Sequence, residues 1–306
     1  MKIIELKGDP NNDYALSDSE INKLKDKSIK GLFIVNPLNP SAYSLPLDNI
    51  NKIGKIVNTV RKDLVIISDC VYAPFVNEYN SLMYSCPKNT IEIFSLSKYF
   101  GATGYRLGVI MLRKENIFNQ LLKKLPNIKK KELNKRYENV SIKPANLTFM
   151  ERLVLDSRDV SEAHTGGLST PQQVIMSMFI FFDMIDKKNK YKKEIQTILK
   201  KRMKLFYSEL KMMPNENNRA TNYYTLVDLP HVTELLYGKK AKAKLMKTHY
   251  LEFLFHLAKK YNTILLPGIG FGSNKRTYRA SIANLRTDNY LQISKNIKNT
   301  IKDLTK

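Results

Sequence analysis

Cysteine is scarce in this chain. Its 306 residues hold only Cys70 and Cys86, and no metal-ligand spacing surrounds either, which excludes a disulfide-stapled scaffold. Free buried thiols are the expectation, with one disulfide as the alternative. Long apolar runs are also missing. Hydrophobic residues make up 43% of the chain, but no run reaches the roughly twenty residues that cross a bilayer. The opening residues Met1 to Gly8 include Glu5 and lack the apolar centre of a secretion signal. These absences lead to the expectation of a cytoplasmic protein with no membrane partner.

Acid is in short supply too. Asp and Glu number 28 against 51 Lys and Arg, a net charge of +23. Such an excess is one mark of a nucleic-acid partner. Here the lysines are dispersed among Asn and Ile, the runs Lys129-Lys130-Lys131, Lys200-Lys201-Arg202 and Lys239-Lys240 are short, and no nucleic-acid-binding motif accompanies them. No nucleic-acid partner is therefore expected. Compositional bias or an acidic partner chain accounts for the charge.

What is present is an alternation of strand and helix signals long enough for two domains. Ser17 to Lys27 predicts a helix opened by a Ser/Asp cap. Gly31-Leu32-Phe33-Ile34-Val35 is apolar at nearly every position, which predicts a strand in the middle of a parallel sheet covered by helices. It ends in Asn36-Pro37-Leu38-Asn39-Pro40, a turn. Ligands in such sheets bind beyond the carboxyl ends of strands, where Asn39 falls. Asp48 to Arg61 has helical spacing, with Ile50, Ile53, Ile56 and Val57 on one face. Asp63 to Asp69 is the next buried strand, giving a strand-helix-strand crossover. A carboxylate at its end, Asp69, is costly unless it meets a cation or caps the segment that follows.

Asn89 to Phe94 and Leu107 to Leu112 read as two further strands. Between them lies Ser95-Leu96-Ser97-Lys98-Tyr99-Phe100-Gly101-Ala102-Thr103-Gly104-Tyr105-Arg106-Leu107-Gly108. A lysine at the mouth of an apolar strand can lose solvation and act as a nucleophile toward a carbonyl. Arg106 offers a planar fork of donors suited to phosphate, and Ser95 a hydroxyl. Together they suggest pyridoxal 5'-phosphate, whose aldehyde needs an amine and whose phosphate needs such donors. The plainer reading is a strand-to-loop junction with both cations in solvent.

Further on, Arg113 to Leu125 and Met150 to Val160 read as helices, and Pro126 to Leu147 as a lysine-rich exposed excursion. Ser169, Thr170 and Pro171 make a helix start. Gln172 to Leu210 predicts one long, broken helix, with the apolar stretch Val174 to Ile185 as core packing. Tyr223 to Leu229 and Tyr278 to Asn284 read as strands, with an amphipathic helix from Leu251 to Tyr261 between them.

The lysine string resembles the Schiff-base motif of the fold-type I pyridoxal phosphate enzymes, the aspartate aminotransferase superfamily. Within that family it resembles the aspartate 4-decarboxylase branch, as does Glu162 to Gln173, where His164 is either an acid–base group or a turn residue. The resemblance implies roles in family order. Asn39 contacts the cofactor's ring oxygen, Asp69 pairs with its ring nitrogen, and Tyr72 contacts the ring oxygen. Lys98 holds the aldehyde, Ser95 and Arg106 bind the phosphate, and Arg279 pairs with the substrate α-carboxylate beside Asn39.

The implied fold is α/β: a partial cofactor-binding large domain with a mainly parallel sheet over residues 1–185, then a smaller α+β domain over residues 186–306. The implied reaction converts L-aspartate to L-alanine and carbon dioxide. The alternatives are an aminotransferase using an amino acid and a 2-oxo acid, or an inactive or split-enzyme fragment. Members of the family carry a long segment ahead of the Asn-Pro loop that does not fit into Met1 to Lys30. A missing N-terminal half or a homo-oligomer is thus the expected partner, and an apolar sheet surface is expected to lie uncovered.

Overall fold

The computed structural model describes residues 2–159, 168–214 and 216–306. Three strands, β1 (Gly31–Val35), β2 (Val65–Asp69) and β3 (Thr90–Ser95), run parallel. The fourth, β4 (Gly108–Met111), returns antiparallel on β3, and the sheet order is β1-β2-β3-β4. Helix α1 (Leu47–Thr59) forms the crossover from β1 to β2. Its Ile50, Ile53, Ile56 and Val57 are buried against Leu32, Ile34, Leu64 and Ile66, and each such side chain is worth about 1.5–3 kcal/mol. Just beyond α1, the fully buried Arg61 donates to the carbonyls of Leu24, Asp26 and Ile29 and to Asp63. That guanidinium ties the segment containing the Ser17-capped helix Asp18–Asn22 to the sheet.

One expectation is corrected here. β1 is an edge strand, not a central one. Leu32 and Ile34 face α1, whereas Phe33 remains 66% exposed and Ile110 on β4 52% exposed. A strand apolar on both faces requires two covering layers, and among the described residues only one face of this edge has them.

The lysine-bearing turn is the short helix α2 (Leu96–Tyr99). Helix α3 (Thr170–Ile185) opens with a capping box between Ser169 and Gln172, as the Ser-Thr-Pro start predicts. The expected long helix breaks at residues 186–189 and resumes as α4 (Lys190–Ser208). At the break Asp186 accepts from the backbone N–H groups of Lys190 and Tyr191, and Asn189 takes a left-handed conformation with φ 50°. α3 is not the core helix its composition suggests. Phe179 stacks on Phe100 and Phe182 meets Tyr191, but Met178 and Phe181 are 66% and 64% exposed. Only one stripe of this helix finds a partner within the described chain.

A second sheet has order β5-β7-β6, all antiparallel: β5 (Tyr224–Asp228), β6 (Leu266–Pro267) and β7 (Thr277–Ser281). Helices α4, α5 (Leu229–Lys247), α6 (Glu252–Tyr261) and α7 (Asn289–Thr305) supply Met203, Phe206, Leu245, Phe253, Leu257, Tyr290 and Ile297 to its core. That core is continuous with Val71, Tyr72 and Phe75, which follow β2. The whole is an α/β fold with a mixed, mostly parallel central sheet. Cys70 and Cys86 are free and buried. The helix Asn127–Lys135 in the lysine-rich excursion buries no residue. Among the described residues no helix is long and apolar enough to cross a membrane.

Candidate active site

Strand ends bring the candidate residues together. β1 ends in the loop holding Asn39, where the bonds preceding Pro37 and Pro40 are both cis. β2 ends at Asp69, whose Oδ1 accepts from the backbone N–H of Val71 at 3.0 Å. This Asx turn sends the chain into Tyr72 and leaves Oδ2 without a hydrogen-bond partner among the described residues. The expected alternative, a helix cap, is realised only as this local turn.

At the end of β3, Ser95 Oγ accepts from Ser97 N–H and caps α2, while its own proton goes to the carbonyl of Leu107. The cap fixes the turn that carries Lys98. Tyr99 secures the same turn from behind. Its hydroxyl bonds Asp183, its carbonyl accepts from the Tyr191 hydroxyl, and its ring contacts Tyr191. Close chain approach is needed here, for a Cβ on Gly108 would lie 3.1 Å from the carbonyl oxygen of Phe94. Lys98 is half-buried. Its Nζ has no hydrogen bond or ion pair among the described residues and lies 6.0 Å from the centre of the Tyr223 ring.

Tyr223 belongs to a buried aromatic group. Its ring lies 5.2 Å from Tyr72, 4.9 Å from Tyr224 and 4.8 Å from Phe75. The Tyr72 hydroxyl donates to that of Tyr224 at 3.0 Å. Burial first, and then that hydrogen bond, push the Tyr72 phenol well above the ordinary tyrosine range, partly countered by Arg279. Arg279, on β7, lies between two rings, 4.4 Å from Tyr224 and 4.1 Å from Phe271. Its Nη1 donates to Asn39 Oδ1 at 2.9 Å, and its Nε is buried without a partner. An unpaired buried donor costs about 1–3 kcal/mol. A carboxylate along that edge would relieve the cost with paired, charge-assisted bonds.

Asn39, Tyr72, Lys98 and Arg279 thus converge on Tyr223 and Tyr224, and Asp69 sits three residues before Tyr72. Arg106 stands apart from them. It is exposed, takes a left-handed φ of 56° and donates to Thr103 in its own turn. His164 lies outside the described residues. Cys70 directly follows Asp69, but burial, reinforced by Glu92 and Asp69, pushes its thiol up to about 12, so it is no nucleophile. Sequence reasoning missed Tyr223, Tyr224 and Phe271. The first two fall at the start of the strand expected from Tyr223 to Leu229, the third lies outside every expected element, and no spacing rule connects them to a lysine more than a hundred positions earlier.

Solved structures share this architecture. Alanine aminotransferase from Pyrococcus furiosus superposes with a TM-score of 0.68 at 18% identity, over 99% of this chain and 65% of that one. Cystalysin from Treponema denticola, in a structure containing pyridoxal 5'-phosphate, gives 0.67 at 16% identity, over 99% and 66%. At such identities the likeness is one of fold. Residues 2–297 match the family model of aminotransferase class I and II, and the chain belongs to that family.

Among curated relatives, a Pseudomonas bifunctional aspartate aminotransferase and L-aspartate beta-decarboxylase is 41% identical over 305 residues, which is 99% of this chain and 57% of that protein. An aspartate aminotransferase from Sulfolobus acidocaldarius is 26% identical over 277 residues, 88% of this chain and 55% of that protein. The chain therefore spans little more than half the length of these relatives.

Proposed function

We propose that this chain carries the core of a pyridoxal-phosphate-dependent L-aspartate 4-decarboxylase, converting L-aspartate and a proton to L-alanine and carbon dioxide. The observation that carries the reading is the convergence on one tyrosine pair of two basic side chains that have no ion-pair partner among the described residues: Lys98 beside Tyr223 and Arg279 against Tyr224. An amino acid held by its carboxylate at Arg279 needs an amine-exchanging group nearby, and Lys98 is such a group. The choice of aspartate and of decarboxylation rests on the Pseudomonas relative.

The donor set fits the cofactor. Bound pyridoxal phosphate supplies an aldehyde that condenses with amines and a ring that withdraws electrons from the neighbouring carbon. Lys98 would hold the aldehyde, and its Nζ is the group that would take the proton from the substrate α-carbon. Asp69 holds the ring-nitrogen proton at its free Oδ2. Tyr72 and Asn39 would address the ring oxygen, and Ser95 and Arg106 would have to release the carbonyls of Leu107 and Thr103 to donate to the phosphate. Arg279, clamped by two rings and by Asn39, orients the α-carboxylate.

An aminotransferase acting on an amino acid and a 2-oxo acid is the second reading, favoured by the family match and the Sulfolobus relative. The large and small domains are assigned to residues 1–185 and 186–306. The working assembly is a homo-oligomer.

The test is cofactor capture. Purified chain is mixed with pyridoxal phosphate, its visible spectrum recorded, the product reduced with borohydride and the modified lysine mapped by mass. Label on Lys98, followed by alanine and carbon dioxide from aspartate, is the expected result. Oxaloacetate formation with an added 2-oxo acid, and no carbon dioxide, selects the second reading. No label, or label scattered over surface lysines, overturns both for the isolated chain.

A further inference from the structure

We propose that Tyr224 is a positioning residue that joins the two ends of this site, holding Tyr72 through its hydroxyl and Arg279 through its ring. The proposal rests on the functional reading above, which takes Tyr72 as the donor to the cofactor's ring oxygen and Arg279 as the carboxylate anchor.

Sheet register sets up the contact. Tyr224 pairs with Ser281 and Leu226 with Arg279, so Tyr224 and Arg279 are diagonal neighbours on one face, within reach of long and aromatic side chains. The ring covers the guanidinium, Phe271 covers its other side, and a planar cation between two aromatic faces is held in one orientation. At its other end Tyr224 accepts from the hydroxyl of Tyr72. Both tyrosines are buried, so water is a poor substitute for either partner.

A phenol has one proton to donate and two lone pairs. Tyr72 gives its proton to Tyr224 in this structure. With a ring oxygen beside it, Tyr72 donates to that oxygen instead, and Tyr224 turns its own proton onto Tyr72. Each bond in such a chain polarises the next, so Tyr224 makes Tyr72 the stronger donor. Removing only the hydroxyl weakens the cofactor end. Removing the ring also loosens the substrate end.

Two measurements decide the matter. In cofactor-free protein, thermal melts of Tyr72→Phe, Tyr224→Phe and the double variant read the phenol pair directly. The double variant is expected to melt no lower than the less stable single variant, and additive losses would overturn the pair. In protein loaded with pyridoxal phosphate, the pH midpoint of the visible band reads the donor strength. A weaker donor leaves more negative charge on the ring oxygen, which binds the nearby proton more tightly. Tyr224→Phe is therefore expected to raise the midpoint by about half to one pH unit, roughly threefold to tenfold in proton affinity, while KM for aspartate stays within about twofold. Tyr224→Leu should raise both. An unmoved midpoint in Tyr224→Phe refutes the coupling even if activity falls. A wild-type chain that forms no visible band takes down the functional reading, and the melts still decide the pair.

Discussion

Arg279 Nη1 donates to Asn39 Oδ1 at 2.9 Å, joining residues 240 positions apart. The bond links the loop after the first parallel strand to the antiparallel second sheet. Loss of the Asn39 side chain should leave the guanidinium clamped by rings but free to rotate. We expect Asn39→Ala to raise KM for aspartate about tenfold, in line with one lost hydrogen bond to a charged group. Arg279→Lys, which lacks the planar fork, should raise it about a hundredfold. Steady-state kinetics on the two variants check the order.

Lys98 has no hydrogen-bond or ion-pair partner among the described residues, so its role should separate cleanly from stability. Lys98→Ala is expected to abolish borohydride-fixed cofactor while leaving the unfolding free energy within about 0.5 kcal/mol, as for substitutions that break no specific contact. Mass mapping and urea unfolding of the same preparation test both halves.

Arg61 behaves in the opposite way. Its buried guanidinium is donor to the carbonyls of Leu24, Asp26 and Ile29. Replacing it with Leu strips these carbonyls of a donor at about 1–3 kcal/mol each where they stay dry. A loss of about 3 kcal/mol or more in urea unfolding is expected, although Arg61 is far in sequence from Lys98.

Asp303 gathers Lys260, Tyr261 and His256 onto one oxygen. Those hydrogen bonds, with Lys260 foremost, hold its carboxyl well below the ordinary aspartate value. A carboxyl that is more acidic folded than unfolded binds fewer protons in the native state, so stability rises with pH through the window between the two values. The contribution is complete above the unfolded value near 3.9 and disappears as pH falls through the folded one. Asp303→Asn should therefore flatten the acid limb of the melting temperature below about pH 4, with little change in the slope above it.

The exposed stripe of α3 predicts self-association. Phe181→Glu combined with Met178→Lys should lower the apparent mass in concentration-dependent light scattering and remove the concentration dependence of the melting temperature, because both side chains are exposed in the described chain and a second copy that covers them stabilises the native state by mass action. A melting temperature of the unsubstituted chain that does not depend on its concentration would mean that no second copy covers the stripe.

Periodicity made much of this fold legible. The helix with Ile50, Ile53, Ile56 and Val57, the strands ending at Val35 and Asp69, and the Ser169 helix start all follow from local rules, and the structure realises each within a few residues. What failed was inference from apolarity to burial. Phe33 and Phe181 are as hydrophobic as core residues, but burial depends on which layers exist to cover them, and no local pattern encodes that.

The site divides in the same way. Lys98, Asp69 and Asn39 lie just at or beyond strand ends, where a sheet exposes its chemistry, and that placement was legible. Tyr224 meets Arg279 through the register of the second sheet and Phe271 through the turn before β7, so these contacts emerge only when the chain has folded. Arg106 shows the converse: a motif position can be identified in sequence while its guanidinium rests on a neighbouring carbonyl.

The tyrosine triad has an optical consequence. The chain contains 17 tyrosines and no tryptophan, so its near-ultraviolet signal is carried largely by phenol rings. Tyr72, Tyr223 and Tyr224 hold their ring centres 4.9–5.5 Å apart in a dry interior, close enough for their transition dipoles to couple. Circular dichroism near 280 nm, roughly where phenols absorb, thus includes this triad together with other packed phenols such as the Tyr99–Tyr191 pair, 5.3 Å apart. Assembly of the two sheets around the site can be followed in real time without a label, and before any cofactor is added.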